Sequence, residues 1–344
     1  MASSITFKPK QVVKKLLSAL PPRAKDVITG CYGLGADARK MTLESIGKTY
    51  KITRERVRQI EAYAINVIRK SELYKKELEA FAELEAHIRK MGGIVPEAEL
   101  LVSLAKDKST QNHVHFLLVI GESFKKSKED EEFQHRWHVD EELSKKIHES
   151  LRKLYKGLKD DEILPESEML AAFLEHVKDV NEEYKKEEIL RRWLSMSKLI
   201  DKNPLGEWGK SESPSIRAKG IRDYAYLVIR KHGSPIHFRE VAKAITQVFG
   251  KKAHVATTHN ELIKDKRFVL VGRGLYALSE WGYLTGIVRD VIHGILEKHG
   301  PLAKKDIIDK VLKERYVKEN TILVNLQNTK HFKKDKEGKY STTK

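Results

Sequence analysis

One cysteine, Cys31, stands in a chain of 344 residues. A lone thiol excludes an internal disulfide and a multi-cysteine zinc site, and it fits a reducing cytoplasm. Long apolar runs are missing too: nothing approaches the ~20 consecutive apolar residues of a membrane span. The opening residues, Met1 to Lys8, hold no apolar stretch and no cleavage pattern, so a secretory leader is not expected. The phosphate-cradling loops Gly-x-x-x-x-Gly-Lys-Ser/Thr and Gly-x-Gly-x-x-Gly are absent from the sequence.

Candidate catalytic groups fare no better. His113/His115 and His135/His138 have no Cys or acidic residue at matching spacing, so ordinary surface or core histidine is the better reading. Asp160-Asp161-Glu162 and Glu166/Glu168 have no lysine in a strand context after them, and acids at helix starts explain them. Cys31 has no histidine set at a helix start and reads as a small core residue. The expectation is therefore a protein that is no enzyme, with no metal, no cofactor, no small-molecule substrate and no membrane.

What is present is positive charge. Lys+Arg total 66 against 49 Asp+Glu, a formal charge of +17, with a pI near 9.5 and a mean hydropathy of −0.51. Hydrophobic residues still make up 40%, enough for packed domains, and the length suits two or more of them. Nucleic acid is the leading partner class for such a balance. The charge is uneven: Thr42–Lys70 has seven basic against three acidic residues, and Lys298–Lys344 thirteen against six. Those two ends hold +11 of the total, whereas runs such as Lys128-Glu129-Asp130-Glu131-Glu132 leave the middle mixed in sign.

Most of the chain reads as helix. Between Thr42 and Lys70 the pattern predicts two helices joined at Tyr50-Lys51-Ile52-Thr53, a helix-turn-helix. Thr42 and Thr53 stand as N-caps. In the second helix Val57, Ile60, Ala64, Val67 and Ile68 form one apolar stripe. Arg54, Glu55, Arg58 and Gln59, at i, i+1, i+4 and i+5, share the opposite face. Arg can take guanine O6 and N7, Gln adenine, and Glu the cytosine amino group, so these four are the candidate base readers. Thr42, Lys48, Lys51, Thr53 and Arg56 are the candidate phosphate contacts, which orient a protein without reading sequence.

An internal repeat follows. Ile88–Val95, Ile229–Ile236 and Leu296–Leu302 each read as helix, glycine turn and short strand. Amphipathic helices come next, over Glu97–Ala105, Phe238–Phe249 and Lys304–Lys313. In the last two copies Thr258, Asn260, Leu262 and Phe268 match Leu323, Asn325, Leu326 and Phe332. Phe268–Val271 and Leu275–Leu278, across Gly272-Arg273-Gly274, predict a β-hairpin. A weaker copy spans Leu151, Leu164, Met169–His176, Ile189–Ile200 and Trp208, interrupted by Lys178–Lys186. Gly206–Ser215 reads as a linker. The expected fold is mainly α with short β-hairpins: a helix-turn-helix domain followed by three or four tandem winged-helix domains.

Leu20-Pro21-Pro22-Arg23, Tyr32-Gly33-Leu34, Thr42–Lys48 and the run Thr53-Arg54-Glu55-Arg56-Val57-Arg58-Gln59-Ile60-Glu61 resemble the fourth conserved region of bacterial housekeeping sigma factors. The resemblance covers about Leu20 to Lys70. It implies reading of the upstream promoter hexamer, the −35 element, by Arg54, Glu55, Arg58 and Gln59, and docking on the β flap of bacterial RNA polymerase core. About twenty residues precede the motif, which leaves no room for the sigma region that melts the −10 element. A complete sigma factor is therefore not expected. After Glu61, where the family carries a basic helix end, Ala62-Tyr63-Ala64-Ile65-Asn66 is largely apolar before Arg69-Lys70.

Ile229–Tyr283 resembles a second family, the HARE-type helix-turn-helix, a winged helix shared with the polymerase delta subunit of Gram-positive bacteria. Pro235–Val241, Asn260–Phe268, Gly272–Leu278 and Trp281-Gly282-Tyr283 carry the likeness. Most of these residues suit a core, with Asp265 and Arg267 a stabilising polar pair. Lys264, Lys266, Arg273, Lys330, Lys333 and Lys334 are candidate wing contacts to DNA.

The domains then run 1–19 (N-terminal extension), 20–78 (helix-turn-helix), 79–145 (winged helix), 146–210 (degenerate winged helix), 215–284 (HARE-type) and 285–344 (C-terminal winged helix). The function expected is a cytoplasmic, nucleoid-associated transcription regulator or polymerase-associated factor that binds double-stranded DNA. The alternatives are a delta-like polymerase adaptor whose helical domains dock protein, and the DNA-targeting subunit of a restriction/modification system.

Overall fold

Proline and threonine punctuate the first helices of the computed structural model, which describes residues 5–284 and 286–343. Helices α1 (Pro9–Leu17) and α2 (Pro22–Tyr32) both begin on proline, whose fixed φ and missing N–H suit a first turn. Gly33 ends α2 in the left-handed region, φ 64°, its N–H returning to Thr29 O. Helix α3 (Leu43–Tyr50) is capped by Thr42, whose hydroxyl accepts from Ser45 N at 3.1 Å. Helix α4 (Arg54–Lys70) is capped by Thr53, which accepts from Arg56 N at 3.1 Å. Lys51 makes the turn between them in the left-handed region, φ 53°. Gly47 permits the tight angle: a Cβ there would lie 2.7 Å from Ile52 O.

After the short α5 (Glu72–Lys76), one sequence of elements recurs. The first copy is α6 (Leu78–Lys90), β1 (Ile94–Pro96), α7 (Glu97–Leu104), α8 (Lys108–Ile120), β2 (Lys125–Ser127) and β3 (Arg136–His138), with antiparallel sheet order β1-β3-β2. The second is α9 (Glu141–Gly157), α10 (Glu166–His176), α11 (Glu187–Ser195), β4 (Ile200–Lys202) and β5 (Trp208–Lys210). Here the first strand shrinks to one bridge, Leu164 to Trp208, on the same edge of the hairpin.

The third copy is α12 (Ile221–His232), β6 (Ile236–His237), α13 (Phe238–Phe249), α14 (Val255–Lys264), β7 (Phe268–Gly272) and β8 (Leu275–Leu278). The fourth is α15 (Val288–His299), β9 (Leu302–Ala303), α16 (Lys304–Glu314), α17 (Glu319–Leu326), β10 (Phe332–Lys334) and β11 (Lys339–Thr342). In both, the last strand lies between the other two, as in the first copy. The fold is thus mainly helical with small antiparallel sheets.

One reading needs correction. Gly206–Ser215 is not a linker throughout: Trp208–Lys210 is β5, paired with β4, and Ser211 N donates to Leu199 O at 2.8 Å. The glycine and serines mark the hairpin and its exit rather than a free tether.

Two compact units result, residues up to 202 with 206–212, and 203–205 with 213 onward. In the first unit a single apolar cluster contains Val13, Leu16, Ile28, Ile68, Leu84, Phe116 and Trp137, so the helix-turn-helix and the first repeat share a core. A neighbouring cluster joins Ile94 and Phe133 to Ile147, Phe173, Trp193 and Trp208 of the second repeat. In the second unit the fourth repeat is built around Ile292, Ile307, Val311, Ile322 and Phe332. Tyr316 N donates to Val271 O at 2.7 Å, tying that repeat to the β7–β8 hairpin. Among the described residues no helix is long and apolar enough to cross a membrane.

Candidate nucleic-acid interface

Helix α4 has a buried and an open side. Val57, Ala64 and Ile68 are fully buried against α2, α3 and the shared core. Arg54, Glu55, Arg58 and Gln59 are all exposed on the opposite face. The four candidate base readers therefore stand together on the first two turns, the end that a recognition helix presents to base edges.

They are not idle in the absence of a partner. Arg58 grips Glu55, with Nη2 donating to Oε1 at 2.7 Å and Nε to Oε2 at 2.9 Å. The hydrogen bond from Arg58 holds the Glu55 carboxyl below the usual carboxylate range. Arg56 Nη1 donates to Gln59 Oε1 at 3.0 Å. Both pairs are solvent-exposed, where water and salt screen such contacts, so exchanging them for base edges is inexpensive.

The candidate phosphate contacts surround this face. Thr42 and Thr53 accept backbone N–H groups through their hydroxyl oxygens, which leaves each hydroxyl proton free to donate. Lys48 is exposed in the last turn of α3, Lys51 at the turn itself, and Arg56 in the first turn of α4. Two supports escaped the sequence reading. Tyr50 donates its hydroxyl to Asp26 Oδ2 at 3.1 Å, under Arg23, whose guanidinium lies 5.6 Å from the ring centroid. Tyr32 donates to Glu61 at 2.8 Å and fixes α4 to α2. An aromatic at each helix end was the only available signal.

The far end of α4 has another job. Arg69 donates from Nε to Ile120 O at 2.9 Å and from Nη2 to Val119 O at 3.0 Å, closing the last turn of α8. Phosphate cannot claim that guanidinium without opening α8. Helix α8 buries Asn112, His113, Val114, Phe116, Leu117, Leu118 and Ile120. Helix α11 buries Ile189, Leu190, Arg192, Trp193 and Leu194. Helices α14 and α17, the third helices of the last two repeats, bury only Thr258 with Leu262 and Ile322 with Leu326.

In the second unit Lys264, Lys266, Arg273, Lys330, Lys333 and Lys334 are exposed. Arg273 occupies the β7–β8 turn, whereas Lys333 and Lys334 belong to the C-terminal hairpin, where Lys334 Nζ lies 5.9 Å from the Tyr340 ring. Arg267 donates to Asp265 Oδ2 at 2.7 Å and to Asp223 Oδ1 at 2.9 Å, joining the start of β7 to α12.

The groups weighed for chemistry are dispersed. Among the described residues no three His, Cys, Asp or Glu side chains converge as metal ligands. Burial pushes the Cys31 thiol up to about 12, with Glu61 adding to it, so it stays protonated near neutrality. Glu166 and Glu168 lie in the first turn of α10.

Residues 16–70 match the family model for Sigma-70, region 4. The RNA polymerase sigma factor SigA of Nostoc sp. is 47% identical over 60 residues, 17% of this chain and 15% of that protein. SigA1 of Synechococcus elongatus is likewise 47% identical over 60 residues. SigA of Clostridium acetobutylicum is 43% identical over 67 residues, 20% of this chain and 18% of that protein. The chain thus matches less than a fifth of these relatives' length. The N-terminal helix-turn-helix is therefore similar to sigma region 4, and the last residues of α1 enter the match.

Proposed function

We propose that this protein is a sequence-specific, double-stranded DNA-binding transcription regulator or RNA polymerase-associated factor. It reads a −35-like element through Arg54, Glu55, Arg58 and Gln59. One observation carries the reading: in a segment similar to sigma region 4, these four side chains share the open face at the capped start of α4. Thr42, Lys48, Lys51, Thr53 and Arg56 supply phosphate contacts around it. The role is non-enzymatic and is carried out in the cytoplasm at the nucleoid.

The four repeats of helix, strand, helix, helix and hairpin are read here as tandem winged helices, the third of HARE type. Their division of labour follows from burial. The third helix of the first, α8, is closed into the core it shares with the helix-turn-helix, and that of the second, α11, into the core of its own repeat. Those of the last two remain open, and Lys264, Lys266, Arg273, Lys330, Lys333 and Lys334 give the second unit a basic surface that suits DNA backbone. A second reading has its own support: α14 exposes Val255 and Ile263, and α17 exposes Val324, apolar groups that suit a protein such as polymerase core. In that delta-like role the chain docks polymerase through these helices.

Genome-wide crosslinking with a bound-sequence readout separates the two. A recovered motif resembling the upstream promoter hexamer supports base reading. Polymerase-dependent occupancy without a motif supports the adaptor.

A further inference from the structure

Beside the base-reading helix lies a second group of cations that neither the sequence motif nor the region 4 match contains as a set. Asn112, buried in α8, donates through Nδ2 to Gly33 O at 3.0 Å and to Ala38 O at 2.9 Å. It thereby fastens residues 33–41 to the first repeat. That segment carries exposed Arg39 and Lys40 and runs directly into Thr42, the cap of α3. Across from it, the His115 ring sits 5.9 Å from Tyr32 at the end of α2, and Lys126 Nζ lies 3.4 Å from His115 Nε2. Lys108, the first residue of α8, is exposed as well, whereas Lys125 turns to the other face of β2, toward His138 and Glu141.

The nearby carboxylates are already engaged. Glu97 meets Lys126 Nζ at 2.5 Å and accepts from Trp137 Nε1 at 2.8 Å. Asp107 caps α8 through Thr110 N at 2.8 Å and faces Lys10 at 3.5 Å. Asp37 accepts from Arg39 N at 3.2 Å. The field left over is positive. Lys40 is open to solvent at its surface, yet its neighbours strip enough water from it to loosen its hold on its proton; Glu97 opposes this, and Lys108 and Lys126 add to it. A polyanion would relieve that repulsion.

We propose that Arg39, Lys40 and Lys108, with the Glu97-paired Lys126 behind them, form a ridge that binds the phosphate backbone of duplex DNA flanking the element read by α4. The placement follows from the motif's geometry: the first helix of a helix-turn-helix crosses the DNA backbone, and Lys40 stands two residues before the cap of that helix. The first repeat then grips DNA through its wing and the start of α8 while the rest of α8 stays in the core. The inference rests on base reading by α4.

The test uses the full chain and a duplex that it has itself selected from a random pool. Each phosphate contact contributes about 0.9 to the slope of log K against log salt. Lys40→Gln with Lys108→Gln should therefore lower that slope by about 1.8, shorten the footprint on one flank and leave the selected motif unchanged. Lys40→Arg with Lys108→Arg should keep the slope. Lys146→Gln with Lys153→Gln, an equal charge loss on exposed α9 positions, should leave it unaltered. An unchanged slope in the first variant overturns the proposal, as does an equal fall in the α9 control. Loss of polymerase co-purification with the slope intact assigns the ridge to a protein and also overturns it. If the wild-type chain selects no sequence, the base-reading role fails first and the ridge with it.

Discussion

Replacing Asn112 by alanine tests whether the first repeat is an integral part of the helix-turn-helix domain. Asn112 is 2% exposed, and its amide is the donor for two backbone carbonyls, Gly33 O in the interior and Ala38 O nearer the surface. An interior acceptor left without a partner costs about 1–3 kcal/mol, and a partly hydrated one falls toward ~1. The sum is about 2–4 kcal/mol. For a unit of some 200 residues each kcal/mol moves Tm by roughly 2–4 °C, so a fall of about 4–16 °C is expected. Urea unfolding of the full chain should show an earlier midpoint for the first unit with its slope unchanged. DNA affinity should also fall, because residues 33–41 lead into the cap of α3, while the preferred sequence stays the same. Asn112→Asp, which cannot donate, should be worse than alanine. An Asn112→Ala protein within ~0.5 kcal/mol of wild type would refute the reasoning.

Two further outcomes follow from particular groups. Burial, with Arg136 and Arg152 behind it, lowers the His148 imidazole to about 4, and Arg136 Nε donates to its Nε2 at 2.7 Å. The folded value lies below the ~6.5 of an unfolded chain, so the unfolded state takes up the proton first. That stability is complete above pH ~6.5 and is lost as pH falls toward 4, on the order of 2 kcal/mol after discounting for partial exposure. His148→Gln, which keeps an acceptor for Arg136, should flatten the pH dependence of the urea midpoint across that window. Lys51→Gly removes a left-handed residue strained by ~1–2 kcal/mol at a glycine entropy cost of ~0.5–1 kcal/mol. Stability should hold or rise slightly, while the salt slope of DNA binding falls by about 0.9. A stable variant with an unaltered slope would remove Lys51 from the phosphate contacts.

The sequence made local features legible and left their partners hidden. Thr42 and Thr53 cap their helices because a short hydroxyl before an apolar stripe has few other roles, and the structure shows both hydrogen bonds. The period of α4 separated Val57, Ala64 and Ile68 from the exposed Arg54, Glu55, Arg58 and Gln59. The glycine turns at Gly92-Gly93, Gly233 and Gly300 marked the step from helix to short strand in three repeats. What periodicity could not reveal is what an apolar helix packs against. Helix α8 packs not only on its sequence neighbour α7 but on α1, α2 and α4, far away in sequence. The apolar stretch Ala62–Asn66 already sets the end of α4 apart from a basic helix end, and two carbonyls of α8 hold the Arg69 that follows it. Gly206–Ser215 read as tether because its glycine and serine content outweighed Trp208, whose burial marks a strand in the core of the second repeat.

Base reading by α4 is the central claim, and Arg58 tests it most directly. The measurement is the sequence motif selected by full-length wild type and by Arg58→Ala from the same random duplex pool, with affinities taken at one salt concentration. The account predicts a hexamer-like motif for wild type, a roughly 5- to 150-fold loss for Arg58→Ala, and relaxed preference at a single base pair. An identical motif and affinity in both proteins would contradict it.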